Sequence, residues 1–119
     1  GVFPMCYPAD FTNKNYIPNW DLWLILELER YLARTGDEKL IADFRPAVKN
    51  MFDFFAGYEN EDGLLEKLDK WVFVEWSAAN GFVQDVNYPT NMLYAAALAA
   101  ASRVYGDASY AAKAEKIAK

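Results

Sequence analysis

The residues best suited to chemistry lie in one short stretch, Trp71-Val72-Phe73-Val74-Glu75-Trp76, and Asn80 follows it closely. Two indole rings flank a single carboxylate, which is Glu75. Flat apolar rings beside a carboxylate and an amide match the apolar face and the hydroxyl rim of a sugar. If the stretch is extended, alternation places Trp71 and Glu75 on one side and Trp76 on the other. The pattern predicts a carbohydrate-binding site.

The same residues also have a structural explanation. Trp is largely buried in most folds, so aromatic residues between helices usually pack in a core. A Glu in an apolar setting, in contrast, needs a partner or a function. Asn80 and Asn91 are further candidates for contacts with sugar hydroxyls, but each amide could instead cap a helix or close a turn. Both explanations stay open at this point.

Composition excludes several classes of function. The net charge is −5 and no stripe of Lys or Arg is present, so we expect no nucleic-acid partner. No apolar run reaches the length of a membrane span, which predicts no membrane partner. The chain has no His and a single Cys, Cys6, so we expect no internal disulfide, no metal site and no cofactor.

The chain is predicted to fold as one compact unit. The hydrophobic share of 54% and the aromatic share of 17% argue against disorder. It begins Gly1-Val2-Phe3-Pro4, without an initiator Met, from which we expect an excised piece of a longer protein.

Apolar periodicity predicts two helices in the first half. The first runs from about Trp20 to Thr35, with Asn19 as N-cap and Gly36 just after its end. Asp37 is expected to cap the second, which extends to about Tyr58. Because the residue before a proline is biased away from helical geometry, Arg45-Pro46 is expected to split this second helix.

Two more helices follow a long connection at residues 59–88. The third is expected from Pro89 to Tyr105 and carries many alanines, which permit close approach of a neighbouring helix. The fourth is expected from about Asp107 to Ala118. A connection of this length exceeds what a plain helical hairpin needs, and such loops often carry function.

The order of these elements resembles an internal repeat. Twice a helix that is apolar around most of its girth ends at Gly-Asp and is followed by a one-sided helix. The two glycines, Gly36 and Gly106, lie 106 − 36 = 70 positions apart. The pattern predicts an all-α fold, an αα-hairpin array of inner and outer helices, with an ordinary helical bundle as the alternative.

Several motifs together resemble the catalytic domain of bacterial α-L-rhamnosidases. They are Pro18 with Trp20 to Trp23, Tyr31, Thr35-Gly36-Asp37, Asp62-Gly63-Leu64-Leu65, Trp71 to Trp76, and Asn91 with Tyr94-Ala95 and Leu98. These enzymes are six-hairpin glycosidases with an (α/α)6 barrel. The resemblance implies that residues 1–119 form about two hairpins of the six, a partial catalytic domain.

The resemblance also implies a function, the inverting hydrolysis of terminal α-L-rhamnose from glycosides or polysaccharides. Inversion requires one carboxylic acid and one carboxylate that activates water. The family's motifs for both lie outside this segment, so we expect no catalytic residue here and no activity of the segment alone. Where many relatives have Asp-Trp, this sequence has Glu75-Trp76. Substrate-binding roles are implied for Trp71, Glu75 and Trp76, with Asn80 and Asn91 as weaker candidates.

Two alternatives remain. The chain could belong to another six-hairpin glycosidase with a different sugar preference, or it could be a helical-repeat module that binds protein through exposed aromatic residues. In the rhamnosidase interpretation its partners are a rhamnoside and the rest of the parent catalytic domain. An isolated segment would then leave apolar surface uncovered and is expected to self-associate.

Overall fold

The computed structural model describes residues 2–4, 6, 16–82 and 85–119. Over these residues its helices are α1 (Pro18–Thr35), α2 (Glu38–Ala56), α3 (Tyr88–Tyr105) and α4 (Ala108–Ile117), with a short 3-10 helix at Ala78–Phe82. Within the same ranges no strand forms, and the only β contacts are two isolated bridges in the long connection. The all-α prediction is confirmed.

Helix α1 begins earlier than expected, and Asn19 is not its N-cap. Ile17 occupies the cap position without a side-chain hydrogen bond, and Pro18 is the first helical residue. A proline suits that position because it has no N–H that would need an acceptor. The side chain of Asn19 is therefore free for other contacts. At the other end Gly36 adopts φ 67°, which confirms the predicted left-handed stop.

Helix α2 is continuous through Pro46, so the predicted split at Arg45-Pro46 is wrong. A proline inside a helix removes one hydrogen bond to the carbonyl four residues earlier. Here that carbonyl belongs to Ala42, and both Ala42 and Pro46 are exposed, so water can replace the missing donor. The predicted cap is confirmed: Asp37 accepts a hydrogen bond of 3.0 Å from the Leu40 amide.

The junction between α3 and α4 repeats the junction between α1 and α2. Asn87 caps α3 by accepting a hydrogen bond of 2.9 Å from the Thr90 amide. Gly106 ends α3 with φ 66°. Asp107 then caps α4, accepting a hydrogen bond of 3.0 Å from the Ser109 amide. Each pair of helices is thus joined by a left-handed glycine and a capping aspartate.

Helices α1 and α3 pack side by side and run parallel. Near their starts Asn19 Nδ2 donates to Thr90 Oγ1 at 2.9 Å. Towards their ends the Arg103 guanidinium bonds both carboxylate oxygens of Glu29, at 2.5 and 3.0 Å. This contact also holds the pKa of Glu29 below its usual value. Both N-terminal ends therefore lie at the same end of the molecule.

Helix α2 runs back along this pair, and α4 packs beside α3. The hydroxyl of Tyr105, at the end of α3, donates to the Ile41 carbonyl near the start of α2 at 3.2 Å. The ring of Tyr110 in α4 lies 4.9 Å from that of Phe52 in α2. One core joins all four helices, and its buried members are Leu22, Ile25, Leu28, Ile41, Val48, Met51, Phe52, Phe55, Leu65, Tyr94, Ala97, Leu98, Ala100, Ala101 and Ala114.

Helices α1 and α3 each carry large apolar side chains that are exposed to solvent. Trp20 and Trp23 of α1 are 43% and 47% exposed, and Tyr88 and Met92 of α3 are exposed as well. Trp20, Trp23 and Tyr88 lie near the N-terminal ends of these helices, at the same end of the molecule as the long connection.

None of the described helices is long and apolar enough to cross a bilayer.

Candidate functional site

The long connection starts with a firmly held segment, residues 59–66. The carboxylate of Glu59 accepts a hydrogen bond of 2.7 Å from the Tyr94 hydroxyl. The same carboxylate lies 2.5 Å from the ammonium group of Lys113 in α4. Burial raises the pKa of Tyr94 far above its usual value, and the bond to Glu59 adds to this effect, so the phenol stays protonated and remains a donor.

Asn91 holds the same segment from α3. Its Oδ1 accepts from the Leu65 amide at 2.7 Å, and its Nδ2 donates to the Leu65 carbonyl at 3.0 Å and to the Asn87 carbonyl at 3.0 Å. Both Asn91 and Leu65 are buried. The side-chain amide of Asn91 thus replaces a neighbouring strand for one residue of the loop. This geometry favours the structural explanation for Asn91 over contact with a sugar.

The second part of the connection, residues 67–82, is tied to α1 by another buried asparagine. Asn19 Oδ1 accepts a hydrogen bond of 3.0 Å from the Phe73 amide. Asn19 Nδ2 donates to Thr90, whose hydroxyl in turn donates to Asn87 Oδ1 at 2.5 Å. Asn19 and Thr90 are 4% and 1% exposed. The start of α1, the start of α3 and the loop therefore meet in one chain of hydrogen bonds.

Trp71, Phe73 and Trp76 form what we term the aromatic cluster. Their ring centroids lie 5.5 Å (Trp71–Phe73), 4.8 Å (Phe73–Trp76) and 5.8 Å (Trp71–Trp76) apart, all edge to face. The predicted alternation is wrong for Trp76, which joins the side of Trp71 because the chain bends at Val74 and does not continue as a strand. Trp71 is 46% exposed and Trp76 is 84% exposed. The rings pack on each other and also face solvent.

Glu75 and Asn80 complete this turn. Asn80 Oδ1 accepts from the Val74 amide at 2.8 Å and from the Glu75 amide at 3.3 Å. The carboxylate of Glu75 is exposed and accepts a hydrogen bond from the Ser77 hydroxyl. Asn80 therefore shapes the turn, while Glu75 keeps acceptor capacity for a ligand. The structure brings four of the predicted residues, Trp71, Glu75, Trp76 and Asn80, together in one turn. The fifth, Asn91, lies beneath residues 59–66 instead.

An open pocket of about 450 Å³ lies beside Trp71. This volume falls within the range of small-molecule sites. Its lining residues include Lys67, Lys70, Trp71, Asn80 and Asp85. Among the residues that the structure describes, no cluster of three or more His, Cys, Asp or Glu is placed to hold a metal ion. The groups present are suited to bind and orient a polar ligand.

Asp21 is an unusual residue that the sequence did not single out. It lies in the first turn of α1 and is 4% exposed. Its Oδ1 accepts from the Phe3 amide at 3.2 Å, while Oδ2 has no partner among the described residues. Burial raises its pKa to about 7, against the opposing effect of the Phe3 amide. From sequence, an acid in a first helical turn indicates only a favourable interaction with the helix dipole.

Comparisons with known proteins add no relative. Neither a scan against protein-family models nor a search of curated proteins found a match for this chain. The functional interpretation therefore depends on the geometry of the connection and on the sequence motifs.

Proposed function

We propose that this chain is part of an inverting glycoside hydrolase that removes terminal α-L-rhamnose, with the aromatic cluster as one wall of the sugar site. The observation that carries the proposal is the cluster itself, three rings in mutual contact of which Trp76 is 84% exposed. Exposed aromatic side chains that are already held in place offer large contact area at low entropic cost. The resemblance of the surrounding motifs to α-L-rhamnosidases supports rhamnose as the sugar.

Each residue of the turn receives a role in this proposal. Trp71 and Trp76 pack against the apolar ring face of the sugar. Glu75, exposed beside them, accepts a hydrogen bond from a sugar hydroxyl, an interaction that is strengthened by its charge. The general acid and the general base, which an inverting enzyme holds on opposite sides of the sugar, come from the rest of the parent domain. The chain alone is therefore expected to bind weakly and to turn over no substrate.

The proposal extends to an (α/α)6 barrel, in which this chain supplies two hairpins. Its support is the parallel packing of α1 and α3 with α2 and α4 beside them. In a barrel, neighbouring hairpins would cover Trp23 and Met92, which are 47% and 73% exposed here. We expect the isolated chain to self-associate through these apolar side chains.

Light scattering over a dilution series tests this expectation. The double variant Trp23→Ser with Met92→Ser should shift the chain towards monomer. The double variant Trp76→Ser with Phe82→Ser, which removes two even more exposed apolar side chains from the connection, is the control and should leave association in place. A wild-type chain that stays monomeric at all concentrations would contradict the barrel.

The function is tested by release of a chromogenic phenol from an aryl α-L-rhamnoside by the parent protein that contains this segment, beside aryl glycosides of other sugars. Trp76→Ala should raise KM roughly tenfold, because one stacking contact is worth about 1.4 kcal/mol. Phe82→Ala is the control, since Phe82 is 85% exposed but lies outside the aromatic cluster. Glu75→Gln should also raise KM, through loss of the charged acceptor.

The other outcomes lead to the alternatives. Selective activity on another sugar would keep the barrel and replace rhamnose with a different substrate. Inactivity on the whole panel would favour a helical-repeat module that binds protein. The exposure of Trp76 and Phe82 favours that module as the second candidate, because exposed aromatic side chains are frequent anchors of protein interfaces.

A further inference from the structure

We infer that Asn19 is the positioning residue of the sugar site, because its side chain accepts a hydrogen bond from the backbone of Phe73, whose ring contacts both indoles of the aromatic cluster. This inference rests on the proposed function and adds a residue outside the loop to the site. Asn19 acts through the backbone of Phe73, whose amide donates to Asn19 Oδ1 at 3.0 Å.

The position of Phe73 explains why this single bond matters. Its ring lies 5.5 Å from Trp71 and 4.8 Å from Trp76, so it contacts both of the rings that face solvent. The neighbouring Val72 is buried, and Asn80 closes the turn from inside the loop through the Val74 and Glu75 amides. Asn80 shapes the turn, whereas Asn19 connects that turn to a helix.

The structure also explains why Asn suits position 19. The start of α1 needs no cap from this side chain because Ile17 and Pro18 occupy the first positions. The amide supplies an acceptor for Phe73 and a donor for Thr90, and the Thr90 hydroxyl is itself oriented by its bond to Asn87. Leu would satisfy neither partner, and removal of one partner of a buried hydrogen bond leaves the other group unpaired. The loop is thus held in register with the starts of both α1 and α3.

The chain offers a matched comparison for a test. Asn91, near the start of α3, is also a buried asparagine whose side chain bonds the loop backbone. Its partner, however, is Leu65 and not a residue of the aromatic cluster. A purely structural role predicts the same behaviour for both residues. A positioning role predicts that only a change at Asn19 disturbs the cluster.

The first readout is the bisignate far-ultraviolet circular dichroism band that two indoles in contact produce. Trp71 and Trp76 lie 5.8 Å apart at an interplanar angle of 70°, a geometry in which the two rings couple. Asn19→Ala should lose most of this band while the helical signal remains. Asn91→Ala should lower Tm by a similar amount and keep the band. If Asn19→Ala and Asn91→Ala change the band equally, or if neither changes it, the inference is overturned.

Milder variants keep the test decisive if the alanine variants do not fold. Asn19→Ser and Asn91→Ser retain a polar group, and a serine at position 19 is too short to reach the Phe73 amide. The band should weaken in Asn19→Ser alone. Trp71→Phe in the wild-type background identifies the band, because it removes one of the two coupled indoles.

The second readout is kinetic and uses the parent protein. Asn19→Ala should raise KM for the aryl rhamnoside roughly tenfold with a smaller change in kcat, since the sugar wall is misplaced while the acid and base lie elsewhere. Loss of kcat at unchanged KM would contradict the positioning role. The dichroism band needs no substrate, so the two proposals can fail separately. If the wild-type parent protein does not hydrolyse the aryl rhamnoside but Asn19→Ala still loses the band, the rhamnosidase proposal is wrong and the positioning role of Asn19 is supported.

Discussion

The two parts of the long connection are held to the helices in opposite ways. Residues 59–66 are anchored by Glu59, whose carboxylate contacts Tyr94 and Lys113. They are also anchored by the buried Leu65, whose amide and carbonyl both bond the side chain of Asn91. Residues 67–82 bury little beyond Val72 and part of Leu68, and among the described residues a single hydrogen bond, from the Phe73 amide to Asn19, ties them to a helix. The first part is anchored through buried groups, whereas most of the second part is exposed to solvent. One connection thus contains both a buried support and the exposed aromatic cluster that we propose binds sugar.

The largest contrast is expected from truncation of one apolar side chain in each part. Leu65→Ala should lower the free energy of unfolding by about 2–5 kcal/mol, because Leu65 is 1% exposed and its loss leaves a cavity. Phe82→Ala, at an 85% exposed ring, should change it by less than about 0.5 kcal/mol. Urea unfolding followed by the helical signal measures both. A cost for Phe82→Ala equal to that for Leu65→Ala would contradict the comparison.

A rise in pH should lower the free energy of unfolding, because a buried acid lies in the first turn of α1, the helix that holds the second part of the connection. Asp21 shares the first turn of α1 with Asn19, and burial raises its pKa to about 7 from 3.8. The folded chain therefore binds more protons than the unfolded chain between these values, so stability falls as pH rises from about 4 to about 7 and then levels off. The full effect is up to about 4 kcal/mol. Tyr16, whose pKa burial raises to about 12, stays neutral throughout.

Asp21→Asn tests this expectation by removing the titrating group. Its unfolding free energy should exceed that of the wild type above pH 7 and should lose the fall across that window. Asp62→Asn, at an exposed acid of the loop, supplies the baseline for a lost carboxylate. A difference between wild type and Asp21→Asn that stays constant across this window would contradict the raised pKa of Asp21.

A smaller effect is expected from the polar anchor of the first part. Tyr94→Phe removes the hydroxyl that donates to Glu59 at 2.7 Å but leaves the ring in the core. It should cost about 1.5–3 kcal/mol, the range for a hydrogen bond to a charged group. Tyr88→Phe, at a 70% exposed tyrosine of the same helix, is the control. If both changes cost the same in urea unfolding, the Glu59 anchor contributes nothing to the first part.

Much of the fold was predictable because its signals are local. Gly36 and Gly106 end helices, and Asp37 caps the next, from neighbours within four residues. The continuity of α2 was not predictable, because tolerance of Pro46 depends on which side of the helix faces water. The four helices and the long connection between the second and third followed from apolar periodicity together with these stop and cap signals.

The site was predictable only in its composition. The sequence identified Trp71 and Trp76, but it could not show that the chain bends and brings them together. Asn19 was assigned to the wrong role because its partner Phe73 lies 54 positions away. The raised pKa of Asp21 likewise depends on its burial in the folded chain, which no local pattern encodes. Contacts across the chain determine how residues are used, while local patterns determine which helices form.

The paired turns have a consequence for how such a chain can grow. Gly36 and Gly106 have nearly the same backbone angles, φ 67° with ψ 15° and φ 66° with ψ 28°, and an aspartate follows each. The stretch from Asp37 to Gly106 is therefore a cassette with matching ends, which contains α2, the long connection and α3. Tandem duplication of this cassette would join copies without a new turn. Each copy would add a helix pair and a fresh loop that is free to diverge in what it binds.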